Sequence, residues 1–406
     1  LPVVAASAGG VFAAAKLRGA ALQPIDEATP DDEFGLGRIL NWIETFWVLL
    51  AVILMVVLPI VLFIFTAIIL LWTMLKYLEE GRSLWLYLLA AAFATMYATK
   101  EASYFYTAIF GGLLIPPFVW QIVNTHWQKP SLQPVLLLAL ALAIASLGVL
   151  VWSFRDATSV EIALDDSGDS QMSDILIPVW GRMATGLALL FGLSAIFVIY
   201  YGVGPGIIAE IKLFDLLMVI GTLTLPLGTA LFIRFVLGMD MNVVYDAVRT
   251  GNFGAIPPHI LIQMGFVVLS VLLLSVVLGL WWNRRVWTKV GIIHYVVFLT
   301  LYTTFFTWGF GALSGLIGGL AYWISQHGVK RGNQPTYYYL FVGALYEYLS
   351  IIGSVGALGA LVTQGIRHWL HRDDQEKPVH QPPVMNWVEL FPAFLAVWKL
   401  LSWIDY

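Results

Sequence analysis

Long apolar runs separated by short polar breaks dominate this chain. Apolar runs of about 20 residues predict helices that cross a bilayer, whose hydrocarbon core is about 30 Å thick. The first run extends from about Trp42 to Trp72, followed by the polar link Lys76–Ser83. Apolar residues Leu84–Ala98 come next, then a charged break at Lys100-Glu101 and a further run, Tyr104–Val119. Pro116-Pro117 predicts that this helix is distorted or ended there, because proline has no amide hydrogen and crowds the preceding turn. Further spans are predicted at Val135–Trp152, Trp180–Tyr201, Leu213–Val236, His259–Trp281 and Val290–Thr307. The Gly-rich piece Phe310–Ile324 is short enough to be re-entrant, and Tyr339–Val362 and Val388–Ile404 complete about ten or eleven hydrophobic segments. Barrel strands would alternate apolar with polar residues. These runs are apolar at consecutive positions, so the expected fold class is all-α, a polytopic transmembrane helix bundle.

The polar stretches set the organisation. Residues 1–40 start small and apolar and then turn acidic around Asp26, Glu27, Asp31, Asp32 and Glu33, which predicts an extramembrane N-terminal arm. Residues 41–406 form the transmembrane domain, with an extramembrane loop at 153–176 that carries Glu161, Asp165, Asp166, Asp169 and Asp174. Lys and Arg in short loops mark the cytoplasmic side. Arg284, Arg285 and Lys289 supply that mark. Counting every run as a full span puts Lys76/Arg82 and Lys330/Arg331 on the same side. The acidic loop and the Asp240–Pro258 loop then face outward, while Arg367, Arg372 and Lys377 land outward against the rule.

Composition agrees with lipid as solvent. Only 11% of residues are charged and 60% are hydrophobic, against about 25% charged in a soluble domain. The 17 Trp and 17 Tyr suit the headgroup level. A net charge of −4 without a long basic run argues against a nucleic-acid partner. The chain has no Cys, which excludes disulfides, thiol nucleophiles and thiolate metal sites.

Charges between apolar segments are costly unless they reach a cavity, a partner or an interface. Lys100-Glu101 is therefore either an interfacial turn or a site, with Lys100 contacting an anion and Glu101 a polar group or metal. Glu347, inside an apolar helix between Tyr346 and Tyr348, is either a structural hydrogen-bond acceptor or a site residue. Gly315, Gly318 and Gly319 permit close helix approach. No HExxH, close His/Asp cluster or facial triad occurs, so a transition-metal site has no support, and there is no P-loop or nucleophile elbow.

Residues 76–112 (KYLEEGRSLWLYLLAAAFATMYATKEASYFYTAIFGG) and residues 301–349 (LYTTFFTWGFGALSGLIGGLAYWISQHGVKRGNQPTYYYLFVGALYEYL) resemble two segments of the prokaryotic flippase-activity-associated membrane proteins. These are related to the dolichyl-phosphate-mannose protein mannosyltransferases and the wider GT-C group. The resemblance implies a partly GT-C-like scaffold in a prokaryotic inner membrane, handling a polyprenyl-phosphate-linked sugar. By the family pattern, Lys100, Glu101, Arg331, Gln334, Tyr338 and Glu347 are the substrate-binding positions, and a divalent metal is implied if transferase activity is retained. The family's acidic motifs near the first helix have no counterpart in residues 34–75. The reading is thus a possible enzyme or a catalytically degenerate relative. The alternatives are a noncatalytic structural subunit of a larger membrane complex and a transporter or flippase of lipid-linked substrate. Membrane lipids are partners in each case.

Overall fold

The computed structural model describes residues 36–153, 158–160, 174–176 and 178–326, with the single positions 359 and 363. The two C-terminal apolar runs, Arg331, Gln334, Tyr338 and Glu347 lie outside the described residues, as does most of the N-terminal arm.

Helix α1 (Leu36–Glu80) has 45 residues, a length of ~68 Å at the usual rise. That exceeds the hydrocarbon thickness, and Leu58–Glu80 is the part with the length and composition of a span. Its final turn is polar, with Lys76 paired to Glu79 at 2.7 Å. Gly81 then adopts φ 70, the left-handed conformation that commonly ends helices. The last carbonyls of a helix lack partners within it. Here Lys212 donates from its Nζ to the carbonyls of Leu78 and Glu79, both at 2.9 Å.

Helix α2 (Ser83–Thr99) returns beside α1 and forms the centre of the bundle. Leu89, Ala90, Phe93, Ala94 and Met96 are fully buried, covered by α1 on one side and by the last long helix on another. Its shortness fits a helix surrounded by protein rather than lipid. Helix α3 (Ser103–Asn124) runs through Pro116-Pro117 without ending. Of the two outcomes expected there, distortion or an end, the end does not occur: membrane helices tolerate proline where neighbours resatisfy the freed backbone groups.

Helices α4 (Gln133–Ser153) and α5 (Val179–Val203) pair as a hairpin at the edge of the bundle. Leu138, Ile144, Leu189 and Leu193 on it are exposed, as lipid-facing side chains are. Between these helices a two-stranded antiparallel ladder, Thr158–Val160 with Asp174–Leu176, closes the base of the 153–176 segment. The foot of the hairpin meets the bundle where the Trp127 ring lies against Gly202.

The predicted span Leu213–Val236 is not one straight helix. Helix α6 (Lys212–Thr224) and helix α7 (Thr229–Leu237) are separated by a tight turn at Pro226–Gly228, and the pair is bent by 43°. Pro226 removes a helical donor at the break. Helix α8 (Met241–Thr250) is short and amphipathic, and Asp240 caps it by accepting from the Asn242 amide at 2.9 Å.

Residues Pro258–Tyr302, helix α9, break at Asn283 (φ −156, ψ 95). In a straight helix residues 279 and 287 would stand ~12 Å apart. Instead the Trp287 indole lies directly on Gly279. Ser275 donates to the Thr222 carbonyl at 2.6 Å, and Trp287 Nε1 donates to the Thr222 hydroxyl at 3.0 Å. The chain therefore doubles back, and the two predicted spans, His259–Trp281 and Val290–Thr307, are distinct arms of one hairpin. The Gly-rich piece forms a short helical stretch: a π-helical turn, Ser314–Gly318, leading into helix α10 (Gly319–Gln326).

The two ends of the bundle differ. One end gathers the α1–α2 turn, the start of α6 and the α9 turn. There the Asp215 carboxylate accepts from the Tyr77 hydroxyl and from Trp282 Nε1, the latter at 2.8 Å. Lys289 lies over the Tyr87 ring at 5.7 Å. Lys76, Arg82, Lys212, Arg284, Arg285 and Lys289 thus cluster at this end. The opposite end gathers the end of α2, the start of α3, α8, the end of α9 and the π-helical turn, and it holds the cavity described next.

Candidate functional site

The cavity has a volume of about 490 Å³. The end of α2 and the turn after it supply Tyr97, Thr99, Lys100 and Glu101. Helix α8 supplies Tyr245 and Arg249, and the end of α9 with its following turn supplies Tyr302, Thr304, Thr307 and Trp308. Ser314, Gly318, Gly319 and Tyr322 close the remaining wall.

Local chemistry explains why the charged pair sits at this place. Helix α2 ends at Lys100, whose backbone is extended (φ −154, ψ 142). The buried Ser103 hydroxyl donates to the Met96 carbonyl at 2.7 Å and to the Lys100 carbonyl at 2.5 Å. These bonds pin the Lys100–Ala102 turn between α2 and α3. Lys100 is exposed and Glu101 half-buried, and among the described residues neither makes an ion pair.

The walls are held by aromatic contacts. Tyr302 donates to the Tyr97 carbonyl at 2.7 Å, and Tyr97 donates to the Thr107 hydroxyl at 2.9 Å. Tyr97 and Tyr104 meet edge to face at 4.9 Å. Across the cavity Tyr245 and Tyr322 approach to 5.2 Å. Gly315 lets the π-helical turn lie on Phe298 and Tyr302, and Gly319 lets α10 lie on Tyr104. The close-approach role expected of these two glycines is present. Gly318 has only ordinary or near neighbours, its own Ser314 and Val248.

The site is cationic on two sides and acidic at one point. Arg249 pairs with the exposed Asp246 at 3.3 Å and lies 5.8 Å from the Tyr245 ring centre. Burial pushes the Tyr245 phenol above its usual range, Arg249 draws it back, and Tyr322 and Glu101 add to the rise. Tyr245 therefore faces the cavity as a neutral hydroxyl at physiological pH. A divalent ion would find a poor donor set. Glu101 is the one carboxylate among the lining residues, and no group of three His, Asp or Glu side chains converges among the described residues. The described residues of this cavity do not fit a metal centre.

Of the residues expected from sequence, Lys100 and Glu101 meet at this cavity. Arg331, Gln334, Tyr338 and Glu347 lie outside the described residues. Tyr245, Arg249, Tyr302, Trp308 and Tyr322 went unnoticed in the sequence. For Tyr245 and Arg249 a signal existed: MNVVYDAVRT has the spacing of an amphipathic helix within a segment read as loop. The chain matches no protein-family model, no curated protein and no solved structure. What is established is an integral membrane protein with several apolar, membrane-spanning helices. No specific family is shown for the chain.

Proposed function

We propose that this protein holds the headgroup of an anionic, lipid-linked ligand, of the polyprenyl-phosphate-sugar class, in the Lys100–Glu101–Arg249 cavity. The carrying observation is that two cations from separate elements and one carboxylate border a single aromatic-walled cavity at one end of an apolar bundle. Lys100 and Arg249 suit a phosphate, since charge-assisted hydrogen bonds are the stronger kind. Glu101 suits sugar hydroxyls, and the Tyr245, Tyr322 and Trp308 rings offer faces for a pyranose. The two family-like blocks supply the substrate class, and the first of them contains Lys100 and Glu101.

Orientation supports the same reading. The opposite end carries the cluster of Lys76, Arg82, Lys212, Arg284, Arg285 and Lys289. Such clustering marks the cytoplasmic side, so the cavity opens on the extracytoplasmic side, where GT-C-like proteins meet their lipid-linked sugars.

The test is a titration of the purified protein in nanodiscs with a polyprenyl-phosphate sugar. A hydrogen bond to a charged group contributes about 1.5–3 kcal/mol, so Lys100→Ala weakens binding by about 10- to 150-fold. Equal affinity for the parent, Lys100→Ala and Arg249→Ala would refute the assignment.

A second reading, a noncatalytic subunit of a larger membrane assembly, draws on the exposed α4–α5 hairpin. It requires that partner chains copurify and that Leu138→Arg or Leu189→Arg releases them.

A further inference from the structure

The turn after α9 places three successive non-glycine residues in the left-handed region: Thr304, Phe305 and Phe306 at φ 52, 56 and 65. This conformation presses each Cβ towards the following carbonyl and is rare outside glycine. The turn begins as a helix-terminating motif. The Phe305 amide bonds the Thr300 carbonyl at 2.8 Å and the Thr304 amide bonds the Leu301 carbonyl at 3.3 Å. In the usual form of that motif glycine occupies the position of Thr304, and the next side chain folds back on the helix. Here the next side chain is Phe305, which is 73% exposed, and Phe306 is 70% exposed. The geometry is fixed rather than slack: the Phe306 amide bonds the Thr303 hydroxyl at 3.0 Å and the Trp308 amide bonds the Thr303 carbonyl at 2.9 Å. The strained turn thus carries two exposed aromatic rings.

The same turn borders the cavity through Thr304, Thr307 and Trp308. Ile292 and Val296 are exposed on the same arm of α9, and Phe310 beyond the turn is partly exposed with its ring against Phe253. Two adjacent exposed Phe rings at the end of an apolar membrane helix suit the headgroup boundary, where aromatic side chains gather. In water they would form an exposed apolar patch.

We propose that this turn is a lipid-inserted rim. Phe305 and Phe306 sit in the leaflet at the cavity end, and the cavity opens towards lipid between the turn and its neighbours. An amphipathic ligand then slides in sideways, headgroup into the cavity and tail left in the leaflet. The insertion stands on exposure and position, whereas the sideways route also rests on the ligand reading above.

The absence of Cys makes the insertion directly measurable. Phe305→Cys and Phe306→Cys each supply a single thiol for a nitroxide label in nanodiscs. Ala255→Cys, exposed in the segment between α8 and α9 at the same end, supplies a reference. Labels at 305 and 306 are expected to relax faster with oxygen than with a water-soluble nickel chelate, and the label at 255 to show the reverse. Nickel accessibility at 305 and 306 equal to that at 255 overturns the rim. If one variant does not assemble, the other decides.

For the route, the Phe305→Asp/Phe306→Asp variant is given farnesyl phosphate in vesicles and inorganic phosphate in buffer. Association of the vesicle-borne probe is expected to slow by about tenfold while phosphate binding is unchanged. An unaltered rate overturns the sideways route and leaves the cavity's ligand standing. A parent protein that binds neither probe removes the ligand reading, and the nitroxide result still decides the rim.

Discussion

Gly315 offers a sharp test of how the cavity wall is built. A Cβ added there would lie 2.4 Å from Cζ of Phe298 and 2.8 Å from Cγ of Tyr302. Neither ring can yield easily. Phe298 is 1% exposed, and the Tyr302 hydroxyl is tied to the Tyr97 carbonyl at 2.7 Å. Overpacking of this kind costs about 1–3 kcal/mol, and losing the Tyr302 bond adds about 1 kcal/mol. Gly315→Ala is therefore expected to destabilise the protein by about 2–4 kcal/mol, a 30- to 1,000-fold change in the folded-to-unfolded ratio. The control is Gly186→Ala on α5, where nothing lies within 4 Å of the added carbon. Relief of backbone freedom makes that change neutral or stabilising by up to about 1 kcal/mol. Equilibrium unfolding in mixed detergent micelles measures both. A double-mutant cycle with Tyr302→Ala adds a second check, because the cost of Gly315→Ala shrinks once the opposing ring is gone. Equal stabilities for Gly315→Ala and Gly186→Ala would refute the packing described for the wall.

At the opposite end, Asp215→Asn leaves one carbonyl oxygen to meet two donors, Tyr77 and Trp282. A donor left buried and unpaired costs about 1–3 kcal/mol, so unfolding under the same conditions should shift by that amount, and an unchanged midpoint would contradict the network. Sidedness is open to labelling with a membrane-impermeant maleimide in intact cells. Ala255→Cys is expected to react at once and Arg285→Cys only after permeabilisation, and the reverse order would invert the orientation.

The sequence reveals much of this bundle because apolar runs bounded by polar residues carry a strong physical signal. The predicted Leu84–Ala98, Val135–Trp152 and Trp180–Tyr201 fall within a residue or two of α2, α4 and α5. The hairpin at Asn283 is equally visible, since Arg284-Arg285 interrupts an otherwise apolar stretch. The effect of proline is not legible from the sequence alone. Pro116-Pro117 sits inside a continuous helix, while Pro226 stands at the bend within the predicted span Leu213–Val236. The difference lies in whether neighbours accommodate the lost bond, which no local pattern reports. Lys100 and Glu101 stood out because charge between apolar segments is expensive. Arg249 and Tyr245 did not, because polar residues in a surface segment carry no such penalty and only the tertiary fold brings α8 against α10.

The cavity's claim on a lipid-linked anion comes down to one protection experiment. Thr307→Cys places a single thiol in the lining without altering Lys100, Glu101 or Arg249. Its alkylation by an impermeant maleimide in nanodiscs should slow several-fold when polyprenyl-phosphate sugar is present, with Ala255→Cys unaffected. An alkylation rate at 307 that stays constant at saturating ligand would contradict the account.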